Sequence, residues 1–276
     1  MYTLIALLVI MTSPMGSLAA PLSIGIFCTT ISTMHYEVET FSQTYEVPHG
    51  AQLTVENANG SVVVRGWDST VVDVQAEKKT TRGVDELEKV EIEVNTSKGI
   101  TIRTIYLDKD AQVAVRYTIR VPEHVVVRQV ETSNGSIELT DVRGNVVAMT
   151  SNGDVQAHGV DGKIDVTTSN GSIELVDVAD FKHVRSANGS ISAEILNSPE
   201  NDVDFVTSNG SIHLYVANSV TADVTMSTSL GRVSVHNVAI VPEKKSATFF
   251  SGSLGTGGST IRATTTNGNV NLDALP

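Results

Sequence analysis

The sequence predicts an all-β chain organised as a repeat array, and three observations carry that prediction. The first is composition: of 276 residues, 39 are Val and 30 are Thr, while aromatics make up only 5%. Both abundant residues are stiff at χ1 and suit the pleated surface of a strand. The second is a recurring six-residue phrase built on Asn-Gly. The third is period-two alternation of apolar residues on both sides of each Asn-Gly pair. A hydrophobic content of 41% supports a buried core and excludes a disordered acidic chain. The formal charge of −12, from 19 basic and 31 acidic residues, excludes a nucleic-acid partner, which requires a cationic footprint.

Residues 1–34 contain no Asp, Glu, Lys or Arg. Leu4–Met11 reads LIALLVIM, the length of a signal-peptide core, and small residues at Ser17, Ala19 and Ala20 follow it. No basic residue precedes that core, and Leu22, Ile24, Ile26 and Phe27 prolong it. An uncleaved membrane anchor is therefore the alternative to cleavage. Either way the segment predicts an extracytoplasmic protein of the cell envelope or surface, membrane-anchored, lipidated or secreted. Cys28, the single cysteine, is a candidate lipidation site, although Phe27 stands where a small residue is expected. An exported body with no later cysteine must hold together without disulfides.

Residues 35–130 read as a β-rich capping section. Leu53–Val64 carries the strand–turn–strand phrase around Asn59-Gly60, and alternating strands follow at 71–74, 90–94, 100–102 and 114–119. Val84–Lys89 is the one helical stretch, and it is short. Pro122 closes the section because proline cannot donate to a central ladder. Trp67 is expected to plug the end of the core.

Residues 131–276 form the regular array. The phrase occurs at Asn134-Gly135, Asn152-Gly153, Asn170-Gly171, Asn188-Gly189 and Asn209-Gly210, with worn copies at Leu230-Gly231 and Asn267-Gly268. The first six of these array glycines, Gly135 to Gly231, step by 18, 18, 18, 21 and 21 residues, and a fixed period is an architectural signature. Counting from each glycine, positions +2 and +4 are apolar, and from Gly153 onward so are −7 and −5, except where Lys182 occupies −7. Such alternation means short strands with one buried face. Asn-Gly is expected to supply the positive φ of each turn. Two architectures satisfy this pattern. In a β-solenoid of 18–21 residues per coil, identical positions stack and the asparagines form an amide ladder. In an antiparallel meander, each Asn-Gly closes a hairpin. The solenoid is favoured because it explains the matched residues at fixed intervals.

Taken together, Asn57–Val62, Gly66-Trp67-Asp68, the Val121-Pro122-Glu123 step and the serial Thr-Ser-Asn-Gly-Ser-Ile units resemble the DUF4097 β-strand-repeat proteins over about residues 38–276. That resemblance implies an exported or anchored solenoid-like protein without established enzymatic activity, called an adhesin by inference from its fold. It carries over no catalytic or binding residues.

The search for chemistry is nearly empty. No HxH or HxxxH pair is present to start a metal site, and His158, His213 and His236 fall on outward positions as exposed polar filler. GxSxG is absent, and Ser251–Gly258 lacks the Lys-Ser/Thr of a phosphate loop and reads as a flexible turn. Aspartates do not recur in phase as calcium-binding repeats require. Glu138 and Glu174 share the outward +3 column with Gln156 between them, two coils or roughly 9–10 Å apart. That spacing keeps a carbohydrate-active enzyme as a remote alternative. Five Asn-Gly-Ser triplets and Asn95-Thr96-Ser97 match the glycosylation acceptor pattern, which turn geometry already explains for the triplets. No cofactor and no metal is expected. The resulting expectation is a non-enzymatic interaction module for envelope glycan or a surface protein. An envelope sensor or assembly partner is the alternative.

Overall fold

The computed structural model describes residues 35–275, so the export segment and Cys28 lie outside the described residues. Within them the strands before and after each Asn-Gly pair fall into two long stacks. The first stack runs from Gln52–Glu56 through Val126–Asn134 and Val146–Asn152 to the second halves of Val155–Asn170 and Ile173–Asn188. It continues through Val203–Asn209, Thr260–Asn267 and Ala222–Leu230. The second stack holds the strands that follow each corner, from Val62–Trp67 and Ile137–Arg143 to Ile212–Val216, Val270–Ala274 and Val233–His236. Every pairing within this array is parallel, which establishes a β-solenoid and excludes the hairpin meander.

Antiparallel strands close both ends. At the start, Val90–Asn95 pairs antiparallel with Ile100–Tyr106, and Val71–Thr80 lies antiparallel between Glu37–Glu46 and Ala114–Pro122. At the far end, Phe249–Leu254 lies antiparallel between Ala222–Leu230 and Ile240–Lys245. The segment expected to be a flexible turn after Ser251 thus begins inside a strand, with Phe250 and Leu254 buried. Val84–Lys89 is a short 3₁₀ helix of six residues.

Parallel stacking places like residues over like, and this builds the core. The +2 column comprises Val62, Ile137, Val155, Ile173, Ile191, Ile212, Val270 and Val233, all buried. β-branched side chains fill such a column with little rotamer entropy to lose. Phe205 is fully buried because its register partner on one side is Ala263, whose small side chain leaves room for the ring. Lys182 marks a local irregularity. Ile164 is level with Phe181 while Val166 is level with Val184, so one extra residue bulges there. Phe181 takes the inward place beside Phe205, with ring centroids 5.5 Å apart, and Lys182 turns out to Asp165 at 3.1 Å.

Chain order and spatial order part at the last coils. The coil carrying Asn267-Gly268 inserts between the coils of Asn209-Gly210 and Leu230-Gly231. The chain lays down Ala222–Leu254 first and returns to fill the level beneath it.

Candidate functional site

Two corners of the coil concentrate the polar side chains, and they are built in opposite ways. At the Asn-Gly corner the asparagine amides form one continuous ladder. Asn134 Nδ2 donates to Asn59 Oδ1 at 2.7 Å, Asn152 to Asn134 at 2.8 Å, and Asn170 to Asn152 at 2.9 Å. Asn188, Asn209 and Asn267 continue it at 3.0, 2.8 and 2.7 Å. A second ladder runs behind the first. The Thr132, Thr150, Thr168, Ser186, Thr207, Thr265 and Thr228 hydroxyls donate to the carbonyls of Gly60, Gly135, Gly153, Gly171, Gly189, Gly210 and Gly268 at 2.8–3.0 Å. These hydroxyl residues are buried, so each bond satisfies a hydroxyl held away from water.

The glycines serve close approach more than backbone handedness. Gly60, Gly210 and Gly268 have φ of 117°, 157° and 155°, whereas Gly135, Gly153, Gly171 and Gly189 lie outside the left-handed region. What all seven share is contact: a Cβ on any of them would sit 1.9–2.2 Å from a backbone oxygen, which except at Gly60 is that of the adjacent corner's glycine. The expectation that each turn requires positive φ is thereby corrected. Stacked backbones leave no space for a side chain.

The start of the ladder is tied to a buried network. Asn59 Nδ2 reaches the Tyr106 hydroxyl at 3.3 Å, and that hydroxyl donates to the Val113 carbonyl at 2.8 Å. Thr104 donates to Asn57 Oδ1 at 2.8 Å, which leaves its oxygen to accept from the Tyr117 hydroxyl at 2.7 Å. Burial pushes the Tyr117 phenol up to about 12, and Tyr106 is raised for the same reason. The far end of the ladder has no such partner, because Leu230 replaces asparagine there and is exposed.

The opposite corner opens into a groove of about 870 Å³. Gly66, Asp141 and Gly159 stack there, and a Cβ on Gly66 would lie 2.0 Å from the Asp141 carbonyl. Asp141 itself adopts φ 52°, a conformation that aspartate tolerates. Trp67 lines this groove and is half-buried, so it does not plug the core as expected. Its indole N–H donates to the Val71 carbonyl at 2.9 Å, and the Arg120 guanidinium lies over the ring at 4.2 Å. Arg120 is fixed in turn by the buried Asp73 carboxylate at 2.7 Å. The His49 and His124 rings contact each other at 4.4 Å, and the buried His124 Nε2 has no hydrogen-bond partner. Asp68, Glu123, Asp141 and Asp161 add carboxylates to the rim, with Arg143 held by Asp161 at 3.2 Å. Sequence spacing gave no hint of this grouping, since its members lie on separate strands and turns between residues 49 and 161. The lone tryptophan was the only available signal.

The remaining candidates are dispersed. Glu138 and Glu174 flank Gln156 in register, but Glu138 is engaged by Arg65, and Gln156 reaches Glu174 at 3.5 Å. His213 is more than exposed filler: it bonds Asp273 at 2.6 Å and stacks on Tyr215 at 4.5 Å. His158 and His236 are exposed. Among the described residues no group of three or more His, Cys, Asp or Glu side chains is placed to hold a metal ion. Nor is any described helix long and apolar enough to cross a membrane.

The profile of the family described as Toastrack DUF4097 matches residues 47–273. The chain belongs to the Toastrack DUF4097 family. No curated protein matches the Toastrack chain. Its fold is similar to a "putative adhesin" from Bacteroides fragilis NCTC 9343, at 11% identity, TM-score 0.43, covering 86% of this chain and 97% of that one. A "putative adhesin" from Parabacteroides distasonis ATCC 8503 is 13% identical, with TM-score 0.40 and the same coverage. A "putative cell adhesion protein" from Clostridium sporogenes ATCC 15579 is 11% identical, with TM-score 0.37, covering 87% and 100%. Membership in the Toastrack family rests on the profile match alone.

Proposed function

We propose that this Toastrack chain is a non-enzymatic interaction module of the cell surface that engages envelope glycan. The observation that carries the reading is the pair of ladders at the Asn-Gly corner. They join every level of the solenoid from Asn59 to Asn267 by side-chain bonds in addition to the strand ladders. A scaffold so joined is stiff and presents fixed columns of polar side chains. Wet, hydrogen-bonded contacts with a polyhydroxylated partner suit such a surface. The net charge of −12 keeps copies apart by mutual repulsion. The apolar segment 1–34 supplies export or anchoring, with Cys28 as the lipid attachment point in the lipidated case. The names given to proteins of similar fold agree with a surface role.

The alternative partner, another protein added at a sheet edge, is less well supported. The outer strand Ile240–Lys245 carries Pro242, Glu243, Lys244 and Lys245, residues that discourage strand addition. Retention of the purified chain on isolated envelope polysaccharide tests the proposal. Saturable retention supports it. A stoichiometric protein partner from the same envelope, with no polysaccharide retention, replaces it with the assembly-partner reading.

A further inference from the structure

We propose that the groove beside Trp67 is a binding site for a neutral, hydroxyl-rich saccharide. This deepens the glycan reading above and rests on it. Three features point to that ligand chemistry. The groove's volume of about 870 Å³ falls in the range of small-ligand sites. Trp67 offers an apolar indole surface that is already immobilised: Arg120 lies over the ring, Asp73 holds Arg120, and Val71 accepts from the indole N–H. Such preorganisation lowers the ordering cost of binding. The C–H face of a pyranose is apolar and its rim carries hydroxyl donors, which matches an aromatic surface edged with acceptors.

The acceptors are the carboxylates of Asp68, Glu123, Asp141 and Asp161. Arg143 is the one arginine or lysine on the rim, and Asp161 already faces it. An anionic polymer is therefore repelled from the groove, while neutral hydroxyls find charged acceptors, which form the stronger class of hydrogen bond.

Trp67 is the chain's only tryptophan, so its emission reports on the groove and on nothing else. The full chain is titrated with cello-, chito-, manno- and xylohexaose, and separately with an oligogalacturonate and with poly-L-lysine. At least one neutral hexasaccharide is expected to change Trp67 emission saturably. Glu123→Gln combined with Asp141→Asn is expected to weaken that binding at least tenfold, with the melting temperature held. Asp85→Asn, on the distant 3₁₀ helix, should leave it unchanged. A saturable response to poly-L-lysine or oligogalacturonate with none to the neutral sugars overturns the proposal. Polysaccharide retention that persists equally in the double variant and in Trp67→Phe removes the groove while leaving the surface-glycan function standing. Loss of retention and of every emission response in the wild-type chain removes both.

Discussion

The central coils and the two ends of this molecule solve the same problem with different chemistry. Between Val126 and Val216 every level repeats one arrangement: a β-branched column inside, a hydroxyl on a glycine carbonyl, and an amide on an amide. At the Asn-Gly corner no residue of these levels is special, because its neighbours above and below do the same work. At the ends the parallel order stops and antiparallel strands cover it. The residues there are individual: buried Tyr117, the Asp73–Arg120–Trp67 stack and the tilted histidine pair. Repetition builds stiffness, and departure from repetition builds a site. The Trp67 groove lies where the first cap meets the coils, with Asp141 and Asp161 supplied by the coils themselves.

The largest expected effect contrasts a glycine from each region. In Gly171→Ala the new Cβ meets the Gly153 carbonyl oxygen at 2.0 Å. Neither backbone can retreat, since Gly153 N–H is bonded to Asn170 and Gly171 N–H to Asn188. The loss should be about 3 kcal/mol or more in urea unfolding. Gly50, near the start, has φ 76° and open space around a Cβ, so Gly50→Ala should cost only backbone strain, about 1–2 kcal/mol. A loss at Gly171 no larger than that at Gly50 would show that the stacked backbone contact does not require glycine.

That contrast also explains what could be read from the residues alone. The Asn-Gly phrase is legible because the same contact recurs at each level, so the same residues recur in the chain. The hydroxyl three residues before each glycine stood in the phrase too, yet its bond to the neighbouring glycine carbonyl depends on three-dimensional stacking. The exchange of the last two coils was legible only at one position. Asn267 can prolong an amide ladder and Leu230 cannot, so the leucine coil must be terminal. The Phe181 bulge announced itself only as Lys182 on an inward position. The groove was not legible, because Trp67, His124 and Asp141 meet through stacking of coils rather than through spacing along the chain.

A second prediction concerns the end alone and separates it from the array by pH. The Tyr117 phenol is neutral when protonated, and burial raises its pKa from 10.0 to about 12. A folded-state pKa above the unfolded value means that its stabilising contribution is complete below pH 10. It is lost as pH rises from 10 to 12. Two units correspond to about 2–3 kcal/mol. Tyr117→Phe should give up about 1 kcal/mol at neutral pH for the lost bond to Thr104. In exchange it should flatten the alkaline decline. Unfolding free energy measured from pH 8 to 12 checks this, with tyrosinate absorbance following the ionisation; an unchanged slope in the variant would refute it.

The smallest effect tests whether the amide ladder behaves differently in its middle and at its end. Asn170→Ala removes two bonds, one to Asn152 and one from Asn188, whereas Asn267→Ala removes only the bond to Asn209. These amides are exposed apart from the half-buried Asn59, and water competes for them, so the middle variant should lose about 1 kcal/mol and the end variant about half that. Joining Asn152→Ala to Asn170→Ala should cost less than the sum of the two single changes, because the bond between them can be lost only once. If instead each amide polarises the next along the aligned row, interruption in the middle weakens the bonds on both sides of the gap. The middle-to-end ratio then exceeds two. A double-mutant cycle in urea, run at both places in the ladder, distinguishes a row of independent bonds from a cooperative one.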